Sequence, residues 1–234
     1  MSWFTLKNPD FRSLGKNIRG LNLGLNTSED QDVLLYNLNM VSTEIRTGMK
    51  HIALAEQVHK DRVREVETGG IYPETDAFVS KTPGLALAIQ VADCGAVLLG
   101  DPMNRVIGAA HAGWRGAVAE IVPKTIQEMI KLGAEAKNIR VFVSPCLEVH
   151  NFEVGEEVAE HFPDHLVDFT SYDKPHVNLK GLIRDQVLDA GVQEKNTLID
   201  DHCTIDHDEL FYSYRREKEL SGRMAGIIKL NKLK

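Results

Sequence analysis

Leu85-Ala86-Leu87-Ala88-Ile89-Gln90-Val91-Ala92 runs almost wholly apolar into Asp93-Cys94, and the chain resumes as Gly95-Ala96-Val97-Leu98-Leu99. Such a run is too short for a spanning helix and shows no polar alternation. It is expected of a strand buried on both faces. Further strands are expected at 96–99 and 106–110. The turn-forming Gly100-Asp101-Pro102-Met103-Asn104 separates them.

Upstream of this run, Ser28 and Gln31 have the spacing of a capping box, and Leu34, Leu38, Val41 and Ile45 then recur on one helical face. Short strands are expected at 62–66 and 76–80. Downstream, a helix is expected across much of 117–132, closed by Gly133, with Pro123 either kinking it or marking where its stable part begins. A strand at 140–144 and a short helix at 156–162 follow. Leu179, Leu182, Ile183 and Val187 make another helical face ended by Gly191. The last strands are expected at 197–199, 210–214 and 225–230. Strands adjoin strands as often as helices, and no linker or repeat divides the chain. The expectation is one α+β domain over 1–234, with mixed β-sheets flanked by helices.

Composition fits this reading. The 234 residues are 43% hydrophobic and 26% charged, and the formal net charge is −7. That balance argues against a nucleic-acid partner bound through phosphate neutralisation. Three cysteines imply no disulfide framework and suit a reducing compartment. The N-terminus lacks the basic start and apolar run of a signal peptide, and the apolar run at 85–99 is too short to span a bilayer. A cytoplasmic location without membrane partners is expected.

Several signatures are missing: G-x-G-x-x-G, a Walker loop, H-E-x-x-H, G-x-S-x-G and C-x-x-C. What stands out is polar residues at the ends of very apolar segments. Asp93-Cys94 ends the buried run. His111 ends another strand in Ala110-His111-Ala112-Gly113-Trp114-Arg115-Gly116, whose small residues let a ligand approach the backbone. Glu56-Gln57-Val58-His59 offers a second imidazole. If these loops converge, His59, Cys94 and His111 make a His₂Cys set, and three protein ligands leave a fourth position open, as in catalytic zinc sites. Spacing alone leaves plainer readings open: a buried cysteine often serves as a small hydrophobe, and a turn histidine as scaffold. A rival cluster, Asp200-Asp201-His202-Cys203-Thr204-Ile205-Asp206-His207-Asp208, is denser in donors but also reads as a solvated acidic loop.

Gln57-Val58-His59, Thr75-Asp76-Ala77, Ala92-Asp93-Cys94, Asp101-Pro102, His111 to Gly116, Phe152-Glu153-Val154-Gly155 and Tyr212-Ser213-Tyr214-Arg215-Arg216 occur in that order. In these motifs the chain resembles the laccase-domain proteins, also called the multicopper polyphenol oxidase or purine nucleoside phosphorylase family, which includes bacterial peptidoglycan editing factors. The resemblance runs from about 22 to 226. It implies a layered α/β fold of mixed sheets, grouped with cysteine hydrolases. It implies that His59, Cys94 and His111 hold a metal, zinc or copper. It also implies phosphorolysis of adenosine, inosine, guanosine and methylthioadenosine, and deamination of adenosine. On that basis Asp93 or Asp76 would move protons and Arg115 would orient phosphate, with Gln57, Asp76, Trp114 and Arg215 lining the substrate site.

Two departures bear on this. Ser144-Pro145-Cys146-Leu147-Glu148 stands where relatives tend to carry Gly-Pro-x-Ile-Gly, and Asn37-Leu38 replaces an expected Asn-Arg. Other functions compete with the phosphorylase. A copper polyphenol oxidase would usually show His-x-His pairs, and none of the nine histidines forms one. A cysteine hydrolase acting on cell-wall precursors would use Cys94 as nucleophile and His111 as base. A metal-stabilised binding protein would catalyse nothing.

Overall fold

The computed structural model describes residues 1–8 and 17–232. The expected domain limits of 1–234 therefore include 9–16 and 233–234, which lie outside the described residues. In chain order the elements are β1 (Ser2–Phe4), α1 (Gln31–Glu44), β2 (Ile52–Ala55), β3 (Val63–Glu65), β4 (Gly70–Tyr72), β5 (Ala77–Ser80), β6 (Ala86–Val91), β7 (Gly95–Asp101) and β8 (Val106–Ala112). The second half adds α2 (Trp114–Val118), α3 (Ile121–Lys131), β9 (Arg140–Val143), α4 (Glu156–Ala159), β10 (Val167–Asp168), β11 (His176–Val177), α5 (Leu179–Asp189), β12 (Thr197–Ile199), α6 (Tyr214–Glu217) and β13 (Met224–Lys229).

Two mixed sheets carry the fold. One has the order β1-β13-β6-β2-β4 and the other β12-β9-β7-β8-β5-β3, with β10-β11 as a separate pair. Strand alternation explains how they stack. On β6, Leu87, Ile89 and Val91 join Phe78, Ala96, Leu98 and Ala109 of the second sheet in one core. On its other face, Ala86 and Ala88 meet Leu38 and Val41 of α1 and Ile45 just after it. The second sheet repeats the pattern: Val97, Leu99, Ala110 and Ala112 face Ile121, Ile126, Met129 and Ile183 of α3 and α5. The order is helix, sheet, sheet, helices. The apolar run is buried on both faces because it lies between a helix layer and a second sheet.

Three local expectations change. Asp30, not Ser28, is the N-cap of α1, and its side chain makes no capping bond. The expected helix at 117–132 is two helices, broken where Glu120 adopts φ 61°, so that Pro123 falls in the first turn of α3, where no N–H is needed. The segment at 210–214 forms no strand. Ser213 instead caps α6 by accepting the Arg216 N–H. The Gly133 stop is as expected: at φ +99° it donates to Ile130 while Ala134 donates to Met129, the Schellman pattern. β2 and β4, unexpected from sequence, form the far edge of the first sheet.

A candidate metal centre where the chain crosses between the sheets

The chain passes from the first sheet to the second at three points near the same end: between β2 and β3, between β4 and β5, and between β6 and β7. His59 lies on the first of these crossings, Asp76 ends the second, and Cys94 lies on the third. The first and third crossings turn through left-handed backbone, at His59 (φ 58°) and Asp93 (φ 82°). His and Asp tolerate this region better than most residues, and strain of this kind gathers at functional sites. The third member comes from the sheet itself. β7 and β8 pair with Gly95 opposite Ala112 and Ala96 opposite His111, which sets Cys94 beside Gly113 just past the strand end. One donor atom from each of His59, Cys94 and His111 lies within 4.8 Å of the other two. A Cβ on Gly113 would sit 2.9 Å from Cys94 Sγ and 3.7 Å from His111 Nε2, so only glycine leaves the cluster its room.

Asp76 organises the three. It is fully buried just before β5, and the β5–β8 register places it across from His111. Its carboxylate accepts the backbone N–H of Val58, His59 and Lys60 at 3.2, 2.9 and 2.9 Å, which wraps the first crossing around it. It also takes His111 Nδ1 at 2.9 Å. With Nδ1–H donated to Asp76, His111 turns Nε2 toward Cys94 as the nitrogen whose deprotonation would supply a lone pair to a metal. Burial pushes the Asp76 carboxyl up, but the His111 hydrogen bond and the backbone N–H groups outweigh it and leave it below its ordinary value. Burial likewise raises the Cys94 thiol, yet His111 and then His59 beside it bring it down to about 6. His111 moves the opposite way: burial lowers it, while Cys94 and Asp76 hold it up at about 9. Without a metal this is a thiolate–imidazolium pair.

The other expected site residues do not all join this cluster. The Gln57 amide is bound face to face with the backbone of Gln90, at 2.8 Å in both directions, and extends the β2–β6 ladder. Asp93 Oδ1 accepts from Thr204 Oγ1 at 2.7 Å and Oδ2 from the Arg215 N–H at 2.6 Å. That carboxylate therefore holds the start of α6. The Arg215 guanidinium donates to the Glu153 carbonyl at 2.8 Å and lies over the Phe152 ring. Trp114 packs against the helix-side core and stacks on His161. Arg115 is exposed, with its guanidinium 4.3 Å from the Trp114 ring centre. Cys146 is fully buried, and Leu38 packs into the α1 core where the resemblance led one to expect arginine.

Two participants had no sequence signal. Thr204 reaches Asp93 from the far end of the chain. Arg223, just before β13, is largely buried. Burial lowers its pKa, and the negative charges of Cys94 and Asp93 counter that fall. It also lines a cavity of about 180 Å³ with Asn26, Tyr214 and Ser221.

Two nitrogens and one sulfur, one ring locked by a carboxylate, match the donor set and outer support of a His₂Cys zinc-type centre. Copper suits the same donors. His59 is exposed, so the cluster opens to solvent on its side. Among the described residues, no helix is long and apolar enough to cross a membrane.

Comparison with known proteins agrees with this architecture. The chain is 36% identical over 214 residues to a purine nucleoside phosphorylase of Deinococcus radiodurans, covering 90% of this chain and 82% of that protein. It is 35% identical over 218 residues to a purine nucleoside phosphorylase of Corynebacterium glutamicum, covering 90% and 87%. Among solved structures, Bacillus licheniformis hypothetical protein YfiH superposes with a TM-score of 0.90 at 26% identity, over 98% of this chain and 92% of that one. YlmD of Geobacillus stearothermophilus shares the fold with a TM-score of 0.91 at 23% identity, over 99% and 92%. The family model described as multi-copper polyphenol oxidoreductase laccase matches residues 8–231, and the chain belongs to that family.

Proposed function

We propose that this protein is a zinc-dependent purine nucleoside phosphorylase that also deaminates adenosine, with His59, Cys94 and His111 as the metal ligands. The observation that carries this reading is the convergence of those three donors, with His111 held in one tautomer by Asp76. The names of the similar proteins supply the substrate class, purine nucleosides and phosphate; adenosine, inosine, guanosine and methylthioadenosine are the proposed members. A zinc ion held there supplies Lewis acidity at neutral pH, and copper is the alternative ion.

The chain's own residues have separable tasks in this reading. Asp76 keeps the proton on His111 Nδ1 and so keeps Nε2 available. Asp93 fixes the β6–β7 crossing through Thr204 and α6. Asp76 touches His111 directly, whereas Asp93 is bonded to Thr204 and Arg215, so Asp76 is the better placed of the two carboxylates to influence a proton at the site. Arg115, exposed and without a carboxylate partner among the described residues, is the proposed phosphate-orienting group. It would place the anion against the ribose C1′, where positive charge develops as the glycosidic bond breaks.

The deciding experiment incubates protein of defined zinc content with adenosine, with and without phosphate, and separates the products. Adenine formed only with phosphate is the expected sign of phosphorolysis, and inosine in both samples that of deamination. Absence of adenosine turnover in both overturns the reading.

One observation favours a second reading. A thiol held at about 6 beside an imidazolium is also an activated nucleophile, as a cysteine hydrolase requires. The roles exclude each other at Cys94, since a thiolate bound to metal does not attack substrate. Rapid alkylation of the zinc-loaded protein supports the hydrolase; protection by zinc supports the phosphorylase.

A further inference from the structure

We propose a second metal site, built from His150, Cys203 and Asp206, that takes a zinc-type divalent cation and serves the fold rather than the chemistry. β9 and β12 are parallel neighbours, and the chain leaves both at the same end. An isolated bridge between Cys146 and Cys203 prolongs that pairing. Beyond it, the 149–151 turn and the 203–206 loop lie against each other. One donor atom from each of the three residues lies within 4.8 Å of the other two.

The surroundings are those of a supported site. His150 Nε2 meets Asp206 Oδ2 at 2.7 Å. Asn151 Nδ2 donates to both remaining members, to Asp206 Oδ1 at 2.6 Å and to Cys203 Sγ at 3.3 Å. The Glu148 N–H points at the same sulfur at 3.5 Å. The buried sulfur accepts both of these N–H groups. Cys203 is 2% exposed, while the His150 and Asp206 side chains are 49% and 41% exposed. The sulfur thus forms the floor and the other two donors form an open rim. The neighbouring cation, Lys180, is already paired with Glu148 and the His202 carbonyl, so it does not neutralise the cluster. Imidazole, thiolate and carboxylate together suit zinc or cobalt better than calcium or magnesium.

The site has a structural consequence. The two segments it would join both grip Asp93: the Leu147 N–H donates to its carbonyl at 3.0 Å, and Thr204 Oγ1 to its carboxylate at 2.7 Å. A cation here would staple the wall that sets the left-handed turn before Cys94.

The test is zinc stoichiometry, measured by atomic emission after dialysis against free zinc. Wild-type protein should hold two equivalents, Cys94→Ser one, His150→Ala one, and the double variant none. Cobalt in Cys94→Ser should give a thiolate-to-metal charge-transfer band that disappears on adding His150→Ala or the milder Asp206→Asn. Zinc should raise the Tm of Cys94→Ser by roughly 5–10 °C at a hundredfold excess over Kd, and the rise should vanish in Cys94→Ser/Asp206→Asn. A Cys94→Ser protein that binds no zinc overturns the proposal. So does one whose equivalent and cobalt band survive both rim substitutions, which would place the ion elsewhere. These readouts do not depend on phosphorylase activity.

Discussion

Cys94 and Cys146 are thiols of one small region, and their surroundings drive them apart. Burial raises both. Two imidazoles beside Cys94 reverse the effect and hold it near 6, whereas for Cys146 burial dominates and carries it far above the ordinary thiol range. The difference shows that burial alone does not make a thiol inert; what counts is whether the charge that burial penalises has a partner. Cys94 has one because a sheet crossing brings His59 to it and strand β8 brings His111. Cys146 lies where β9 ends, among apolar side chains of the helix-side core.

The comparison can be broken most directly by exchanging the sulfurs. Cys94→Ser should abolish phosphorolysis and remove zinc from the His59–His111 cluster, read by product analysis and metal content. Cys146→Ala should leave activity intact. Next in size is thiol reactivity. In metal-free protein, the thiolate fraction of Cys94 grows as pH rises through about 6, so its alkylation rate should climb through that value and level off. Cys146 should stay unlabelled over the same range, as mass spectrometry of labelled peptides would show. Equal labelling of both would sink the contrast.

A smaller effect sharpens the role of the partner. Asp76→Asn leaves the space filled but removes the charge that holds His111 Nδ1–H and three backbone N–H groups. Metal affinity should fall about 10- to 100-fold, measured by competition with a chelating dye. Arg115→Met should raise the phosphate KM about tenfold, as expected for one lost charge-assisted contact, and leave the adenosine KM unchanged. The smallest change should be the stability cost of Cys146→Ala. A shift of about 1 kcal/mol in denaturant unfolding is expected from lost packing.

Much of the architecture is legible in residue order. The double burial of 85–92, the apolar face of Leu38, Val41 and Ile45, and the Gly133 and Gly191 stops all follow from periodicity and backbone freedom, which act locally. Strand β2 gives no signal because Ile52 to Ala55 holds no polar residue to alternate with, and β4 none because it follows Gly69, opens on Gly70 and runs into Pro73. The segment at 210–214 has strand-like composition, but Ser213 finds the Arg216 N–H and turns the chain into α6. Gln57 and Arg215 stood out as ligand-binding types, yet they bind backbone carbonyls of Gln90 and Glu153. Side-chain chemistry names what a residue is able to bind; neighbours decide what it does bind.

By itself the sequence determined which segments must be buried, where helices stop, and which residues carry nitrogen and sulfur donors. Its motifs also marked the family. Only the tertiary structure decided that His59 and Cys94 sit on two crossings at one end of the sheets, that Asp76 lies opposite His111, and that Thr204 and Arg223 come back to the same place. The physical reason is range. Periodicity and capping are set within a turn or two of chain, whereas a site assembled at a sheet crossing depends on strand register between segments far apart in sequence.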